Sequence, residues 1–313
     1  MTRAATGSIY AGTLPALIIA DEGPGGVAAV EAVALAGGRA VLVDWAGAAE
    51  RLEQQGALGL MMVEAEHVDD ALIEALLPDI DALARATDAR IVIALADRQI
   101  DLVAVHLLGG PAELLCSPSI ADRAAAAALA MVPRAEERLH DSARTTESMR
   151  LKRLNEEVAR IAKLLARLTR DDLDVETPDP GLAPEGATDD DLPEIDPRSI
   201  TARDVRETIR VRRLRDQFFE RGLFEDPAWD MLLDLYAAEL ERAQVSVSSL
   251  CIAAAVAPTT ALRWIAKMTE AGLFIRQADP FDKRRAFMEL SPAARDGMRG
   301  YFVAMKRAGT IVA

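Results

Sequence analysis

Short apolar runs alternate with helical stretches over the first 131 residues of the chain. The runs are strand-sized and show no regular polar alternation, which is typical of strands buried on both faces of a sheet. They lie at 16–20, 40–43, 58–63, 91–95 and 113–116, and the helical stretches follow them at 25–37, 46–54, 69–86, 98–108 and 119–131. This fivefold β–α repeat predicts a flavodoxin-like parallel sheet with right-handed crossovers.

A different hydrophobic period marks residues 134–170. The apolar positions advance by alternating steps of three and four, which is the seam of a coiled coil and cannot be buried by an isolated helix. The seam residues are Leu151, Leu154, Val158, Ile161, Leu165 and Leu168. We interpret the segment as a homodimeric coiled coil. The alternative is a single helix docked on its own domain.

Residues 171–198 are rich in acidic residues and proline. Such a composition cannot bury enough apolar surface to fold, so it predicts a flexible, self-repelling linker. The segment accounts for much of the formal net charge of −14, whereas basic residues outnumber acidic ones from 201 to 313. The alternative interpretation is an acidic tail that binds the basic C-terminal domain in cis.

Helical periodicity returns in the C-terminal segment, 199–313. Helices are predicted at 201–221, 226–242, 247–255 and 258–272, with a further helix from Ser291-Pro292. Ser246 can cap the third of these helices, and Thr259 or Thr260 can cap the fourth, which ends at Gly272. Two short runs, 274–277 and 285–290, flank a basic turn and predict a β-hairpin. Two helices joined by a three-residue turn and followed by a hairpin indicate a winged helix-turn-helix.

The stretch from Asp226 to Gly297 resembles the MarR family of transcriptional regulators. The resemblance is carried by VSVSSLCIAAAVAPTTALRWIAKMTEAGLFIRQADPFDKRRAFMELSPAARDGM, with the wing's Asp-x-Arg at Asp282-Lys283-Arg284 and a strand end at Leu290-Ser291. It implies that helix 258–273 enters the major groove of DNA. It also implies that Arg284 enters the minor groove and is braced by Asp282.

The candidate DNA contacts have a chemistry that suits these roles. A helix N-terminus and nearby hydroxyls bind phosphate, an arginine binds guanine or phosphate, and a wing arginine gains from the negative potential of a narrow minor groove. The candidates are Thr259, Thr260, Arg263, Lys267, Lys283, Arg284 and Arg285. The alternatives are ordinary solvated charges at Arg263, Arg284 and Arg285. Trp264 is interpreted as a core or seam residue.

The chain departs from the usual members of that family, which are short and have any ligand pocket at a dimer junction beside the winged domain. It has a large N-terminal domain and its own predicted coiled coil, so the family's small-molecule site is not carried over. Under its alternative interpretation, the acidic segment 171–198 would compete with DNA for the winged domain.

The five β–α units resemble the receiver domain of response regulators. Asp21-Glu22 follows the first strand, where receivers bind magnesium, and Ser117-Pro118 follows the fifth, where receivers have Lys-Pro. However, Glu64 stands near the end of the third strand in place of the phosphoacceptor Asp. Ala94 or Ala96 stands where the fourth strand would supply a hydroxyl. The resemblance therefore implies a pseudo-receiver that is not phosphorylated.

The sequence GPGGVA at 23–28 offers a rival interpretation, a dinucleotide-binding turn with Asp44 closing the second strand. Asp21 and Glu22 immediately precede the glycines and would repel a pyrophosphate. A tight turn that leads into a helix is the simpler interpretation, and we expect no cofactor.

Other candidate chemistry is sparse. Cys116 and Cys251 have no partner at metal-ligand spacing, so both are predicted to be buried thiols in a reducing compartment. The sequence contains no recognisable nucleophile–base pair, metal-ligand cluster, signal peptide or membrane-spanning apolar run. We expect a cytoplasmic protein that is not an enzyme.

Together these patterns predict a multidomain protein of α/β and mainly α parts. The predicted domains are a receiver-like domain at 1–133, a coiled coil at 134–170, a disordered linker at 171–198 and a winged helix-turn-helix domain at 199–313. The predicted function is transcriptional regulation by a homodimer that binds double-stranded DNA, with room for a protein partner at the N-terminal domain. The alternatives are a signalling adaptor whose winged domain binds protein and, with least support, an enzyme that uses the glycine-rich turn.

Overall fold

The computed structural model describes residues 15–132, 196, 199–220, 222–282 and 284–309. The described residues up to Met131 and those from Asp196 onward belong to one compact unit. We refer to 15–132 as the α/β half and to 199–309 as the winged half. The predicted coiled coil lies outside the described residues, as does the predicted linker apart from Asp196.

A five-stranded parallel sheet forms the centre of the α/β half. Its strands are β1 (Ala16–Ile19), β2 (Ala40–Val43), β3 (Leu60–Glu64), β4 (Arg90–Leu95) and β5 (Ala112–Cys116). They lie side by side in the order β2-β1-β3-β4-β5, with Ile19 paired to Val43 on one side and to Val63 on the other. The predicted parallel sheet is confirmed, and its strand order is that of doubly wound, flavodoxin-like sheets.

Helices cover both faces of this sheet. They are α1 (Pro24–Leu35), α2 (Ala48–Gln54), α3 (Asp70–Thr87), α4 (Ile100–Leu107), which follows a 3₁₀ turn at Asp97–Gln99, and α5 (Ile120–Ala130). α1 and α5 pack together on one face, and α2, α3 and α4 lie on the other. Alternate strand residues therefore enter different cores: Ile18 and Met62 face α1 and α5, whereas Leu17 and Met61 face the opposite layer.

One strand departs from the predicted burial. The sequence pattern predicts that all five strands are buried on both faces, but β2 forms an edge of the sheet and its Leu42 is 50% exposed. The apolar composition of β2 does not distinguish an edge position from a central one, because position in the sheet is decided by the crossovers and not by the strand itself.

The winged half contains five helices and a small antiparallel sheet within the described residues. The elements are α6 (Ala202–Leu214), extended by a 3₁₀ turn at Arg215–Gln217, α7 (Pro227–Glu241), β6 (Val245–Ser246), α8 (Val247–Ala253), α9 (Pro258–Glu270), β7 (Phe274–Ala278), β8 (Ala286–Leu290) and α10 (Pro292–Arg307). The strands lie in the order β6-β8-β7. The helix-turn-helix α8–α9 and the hairpin β7–β8 therefore form as the sequence predicts.

Local chemistry sets the ends of these helices. The side chains of Asp226, Ser246 and Ser291 accept hydrogen bonds at the starts of α7, α8 and α10. After α9 the chain turns at Gly272, whose φ of 70° favours glycine. The predicted cap of α9 is wrong: its N-cap residue is Ala257, which makes no side-chain cap hydrogen bond. The hydroxyl of Thr259 has a different partner.

Candidate nucleic-acid interface

Helix α9 has an apolar side and a polar side. Leu262, Ile265 and Met268 are buried in the core of the winged half. This packing turns Arg263 and Lys267 outward, and both are exposed. The arrangement follows from helical periodicity, because residues spaced by three or four positions share a face.

The first turn of α9 contacts the end of β5. The hydroxyl of Thr259 accepts a hydrogen bond from the backbone N–H of Cys116 at 2.9 Å and lies 3.3 Å from the carbonyl oxygen of the same residue, to which it donates. Thr260 is half-buried in the same turn. The hydroxyl of Thr259 is thus satisfied by the backbone at the end of β5, an edge strand of the parallel sheet.

Arg263 points to the same strand. Its Nε lies 2.8 Å from Oε1 of Glu113, and its Nη2 also contacts that oxygen. Lys267 has different surroundings: its Nζ lies 4.7 Å from the centre of the Trp264 ring, a cation–π contact. Trp264 itself is half-buried against the core. Two neighbouring cations of α9 therefore have different surroundings.

The tip of the hairpin holds the wing residues. The carboxylate of Asp282 accepts a hydrogen bond from the backbone N–H of Arg284 at 3.0 Å and lies 3.7 Å from Nε of Arg285. The guanidinium of Arg284 contacts Glu74 of α3, with Nε 2.7 Å from Oε2. Lys283 lies outside the described residues. Asp282 thus shapes the turn, and Arg284 reaches the α/β half.

Two more contacts join the halves. Asp101 of α4 accepts hydrogen bonds from the backbone N–H and the hydroxyl of Ser248, at 2.9 and 2.6 Å. Nη1 of Arg276, on β7, lies 2.6 Å from the carbonyl oxygen of Ala104, and burial lowers the pKa of this guanidinium. The sequence gives no indication that Glu74, Asp101 and Glu113 meet the winged half. Long-range partners of surface carboxylates leave no periodic signal.

The carboxyl end of β3 holds a second polar cluster. Arg123 of α5 makes a paired contact with Glu64, with Nε–Oε1 at 2.9 Å and Nη2–Oε2 at 2.7 Å, and its Nη2 also lies 2.7 Å from Glu66. The Glu64 and Arg123 side chains are only 6% and 5% exposed. Burial raises the pKa of Glu64, even though Arg123 acts in the opposite direction. The carboxylate of Glu64 is thus already paired with the guanidinium of Arg123.

A cavity of about 490 Å³ opens beside this cluster, lined by the glycine-rich turn, Glu66, His67 and Ser119. Within the turn, a Cβ added at Gly26 would lie 2.8 Å from the carbonyl oxygen of Asp21. The glycine therefore permits the close approach of α1 to the end of β1. Close packing of the backbone therefore explains why the GPGGVA motif has glycine at Gly26.

Arg123 and Phe281 are not among the residues that the sequence patterns single out. Arg123 stands in an alanine-rich helix, and an arginine on the sheet-facing side of such a helix was the available signal for a buried ion pair. Phe281 precedes the wing's Asp282 and is 98% exposed. A fully exposed aromatic ring at the tip of a basic hairpin is a candidate contact to a partner molecule.

The remaining candidate chemistry is limited. Cys116 and Cys251 are free and buried, and burial raises the pKa of each thiol to about 12. In the described ranges, no group of three or more His, Cys, Asp or Glu side chains is arranged to hold a metal ion. Nor do those ranges contain a single helix long and apolar enough to cross a membrane, although α8 and α9, bent by 110°, reach that composition together.

Comparisons with known proteins give matches among solved structures alone. No protein-family model matches the chain, and no curated protein matches it. A point mutant of MepR from a multidrug-resistant S. aureus clinical isolate is 16% identical, with 36% of this chain and 81% of that chain covered and a TM-score of 0.25. The S. aureus MepR–DNA complex is 17% identical, with 34% and 86% covered and a TM-score of 0.24.

A probable transcriptional regulator from Pseudomonas aeruginosa is 21% identical, with 35% of this chain and 81% of that chain covered and a TM-score of 0.22. These neighbours are MarR-family transcriptional regulators. They span about a third of the chain and do not bear on the receiver resemblance.

Proposed function

We propose that this chain is a DNA-binding transcriptional regulator. The observation that carries the proposal is the pairing of a helix-turn-helix, α8–α9, with a hairpin whose tip holds Arg284 and Arg285. An exposed row of cations along α9 and a basic wing are the elements that a winged domain uses to bind phosphate and the two grooves of DNA. The role places the protein with DNA in the cytoplasm, where its two free thiols would stay reduced.

In this proposal the candidate side chains contact different parts of the DNA. Arg263 and Lys267 act in the major groove, with Thr259 and Thr260 at the phosphates beside the start of α9. Arg284 and Arg285, with Lys283 between them and Asp282, act at the minor groove. Asp282 supports the wing through its hydrogen bond to the Arg284 backbone. Phe281 adds an exposed ring at the same tip, as minor-groove proteins use apolar wedges at base steps.

We further propose that the regulator is a homodimer. The coiled-coil seam from Leu151 to Leu168 supports this. A second support is a group of exposed apolar side chains in and after α6: Val211, Leu214, Phe218, Phe219, Leu223 and Phe224. So many exposed apolar side chains within one short segment favour an interaction site. A dimer would also present two winged halves to a two-fold symmetric operator.

The α/β half serves, in this proposal, as a pseudo-receiver that carries a signal without phosphorylation. The support is the position of Glu64, whose carboxylate lies at the end of β3 in a buried pair with Arg123. A side chain so engaged has neither the chemistry nor the freedom of a phosphoacceptor. The acidic linker would connect the coiled coil to the winged half.

A second candidate function is a signalling adaptor whose winged half binds protein. One observation favours it: Thr259, Arg263 and Arg284 contact the α/β half of the same chain. A surface that binds protein within its own chain is able to bind protein elsewhere.

The two functions are separated by fluorescence anisotropy of the full-length protein against pooled fragments of its own genome. The series includes several salt concentrations and the double variant Arg284→Ala/Arg285→Ala. The matched control, Arg85→Ala/Arg98→Ala, removes two exposed arginines from the α/β half, at side-chain exposures of 59% and 55%.

For a DNA regulator, affinity falls steeply with salt because bound cations release counterions from the phosphates. The wing variant then loses affinity by about tenfold or more, whereas the control changes it little. Equal DNA affinity of the wild-type protein and the wing variant, or no salt-sensitive binding at all, would favour the protein-binding adaptor.

A further inference from the structure

Three of the side chains proposed to contact DNA are already bound by the α/β half. Thr259 meets the backbone of Cys116, Arg263 meets Glu113, and Arg284 meets Glu74. These contacts come from both DNA-reading elements, the start of α9 and the tip of the wing. The α/β half therefore reaches the two parts of the winged half that DNA would have to touch.

The partners on the α/β half have the chemistry of a DNA backbone. Glu74 and Glu113 place carboxylate oxygens 2.7 and 2.8 Å from guanidinium nitrogens, as a phosphate oxygen would stand. Asp101 adds a third carboxylate, which accepts hydrogen bonds from a backbone N–H and a hydroxyl at the start of α8. Helix starts and hydroxyls are also the groups that bind phosphates. We call Glu74, Asp101 and Glu113 the acidic face.

The contact is also apolar beneath its polar rim. Buried residues of α4 and β5, among them Leu107 and Leu114, belong to the same continuous hydrophobic cluster as Ile265 and Met268 of α9. The half-buried guanidinium of Arg276, on β7, donates a hydrogen bond to the carbonyl oxygen of Ala104 in α4. The halves thus share a packed interface, in which the charged pairs at the edge decide the orientation.

We propose that the acidic face is a docking surface for the chain's own winged half and that it holds the protein in a closed form that competes with DNA. This rests on the proposed DNA-binding function. In the closed form the start of α9 faces β5 and the tip of the wing faces α3, so the α/β half covers the side chains that DNA would contact. DNA therefore binds only the open form, in which the halves have separated at this interface.

The strength of the edge contacts suits a reversible closure. The side chains of Arg263 and Arg284 remain 51% and 56% exposed in their ion pairs, and exposed pairs of this kind contribute little individually. A polyanion that offers many phosphates can displace them. The apparent affinity for DNA equals the intrinsic affinity multiplied by the fraction of open molecules, so weakening the pairs raises it.

The test compares two full-length double variants. Glu74→Gln/Glu113→Gln removes the two carboxylates that bind Arg284 and Arg263. Glu50→Gln/Asp70→Asn removes the same charge from the same half, but the partners of Glu50 and Asp70 there are Gln54, Gln99 and Arg98, all within the α/β half. The first readout is anisotropy with genomic DNA fragments. The second, without DNA, is hydrogen exchange of the Cys116 amide, which donates to Thr259.

We expect the Glu74/Glu113 variant to bind DNA about three- to tenfold more tightly than the charge-matched control, and its Cys116 amide to exchange faster by a similar factor. Equal DNA affinity in the two variants would overturn the proposal while leaving the DNA-binding function intact. Faster exchange in the first variant, with no DNA binding by any protein, would instead overturn the proposed function and the competition with it.

Discussion

Arg123 and Glu64 form a paired contact in the interior of the α/β half, with distances of 2.9 and 2.7 Å between their nitrogen and oxygen atoms. Both side chains are nearly inaccessible to water. An ion pair in this position costs desolvation of both charges, and the cost is offset only while both partners are present. The pair is therefore a sensitive point for the stability of the sheet's carboxyl edge.

Replacement of Arg123 by Met should destabilise the protein by about 3–5 kcal/mol, because Glu64 is left buried without its cation. Urea unfolding followed by circular dichroism measures the change. The matched variant Arg98→Met breaks the exposed pair with Asp70 and should cost no more than about 1 kcal/mol. Equal losses in the two variants would show that burial of the Arg123 pair has no energetic consequence.

The effect of that substitution should depend on pH. Burial raises the pKa of Glu64 above its ordinary 4.5, so the folded chain binds this proton more tightly than the unfolded chain. The resulting stabilisation is fully present below the ordinary pKa and is lost as the pH rises through the raised pKa. Without Arg123 the folded-state pKa rises further, because the hydrogen bonds and positive charge that lower it are gone.

We therefore expect the stability deficit of Arg123→Met to be smallest near the ordinary carboxyl pKa and to grow toward neutral pH. Unfolding curves collected across this range measure it. When Glu64→Gln is the reference, adding Arg123→Met should give a deficit without this pH dependence. A deficit that stays constant with pH in the single variant would remove Glu64 as its cause.

Substitution of Gly26 by Ala should destabilise the protein by about 1–3 kcal/mol, since the new Cβ would lie 2.8 Å from the carbonyl oxygen of Asp21. The control is Gly23→Ala in the same turn, where a Cβ meets nothing within 4 Å. It should change the unfolding free energy by less than about 0.5 kcal/mol. Thermal unfolding of both variants decides whether the motif is required for packing.

Truncation of Phe281 to Ala should lower DNA affinity by about tenfold and leave stability unchanged, because the ring is 98% exposed. Anisotropy gives the affinity, and thermal unfolding gives the stability. Val27→Ala, at an exposed apolar position of α1, is the control for general surface effects. Unchanged DNA binding in the Phe281 variant would exclude the ring from the interface.

Both cysteines should resist alkylation in the folded protein. Burial raises the thiol pKa of Cys116 and Cys251 to about 12, so the thiolate fraction at pH 8 is on the order of 10⁻⁴. Labelling followed by mass spectrometry should show slow reaction in buffer and fast reaction in denaturant. Single Cys→Ser variants assign each site, and rapid labelling of either thiol in buffer would contradict its burial.

The sequence predicts the local elements well because their signals are local. The apolar runs give β1 to β5, and the caps Ser246 and Ser291 mark the starts of α8 and α10. The edge position of β2 and the partner of Thr259 depend on how distant elements meet, which periodicity does not encode. For the same reason, the cations of the candidate site are visible in the sequence, whereas their contacts with Glu74 and Glu113 are not.

In the proposed regulator, the fraction of molecules competent to bind DNA and the DNA sequence that they recognise depend on different residues. Glu74, Asp101 and Glu113 belong to the α/β half, whereas the side chains proposed to read DNA belong to α9 and the wing. In the proposed regulator, substitutions on the acidic face would alter the fraction of molecules competent to bind DNA and would leave the recognised sequence untouched. The threshold of the response could therefore drift during evolution while the set of controlled operators stays the same.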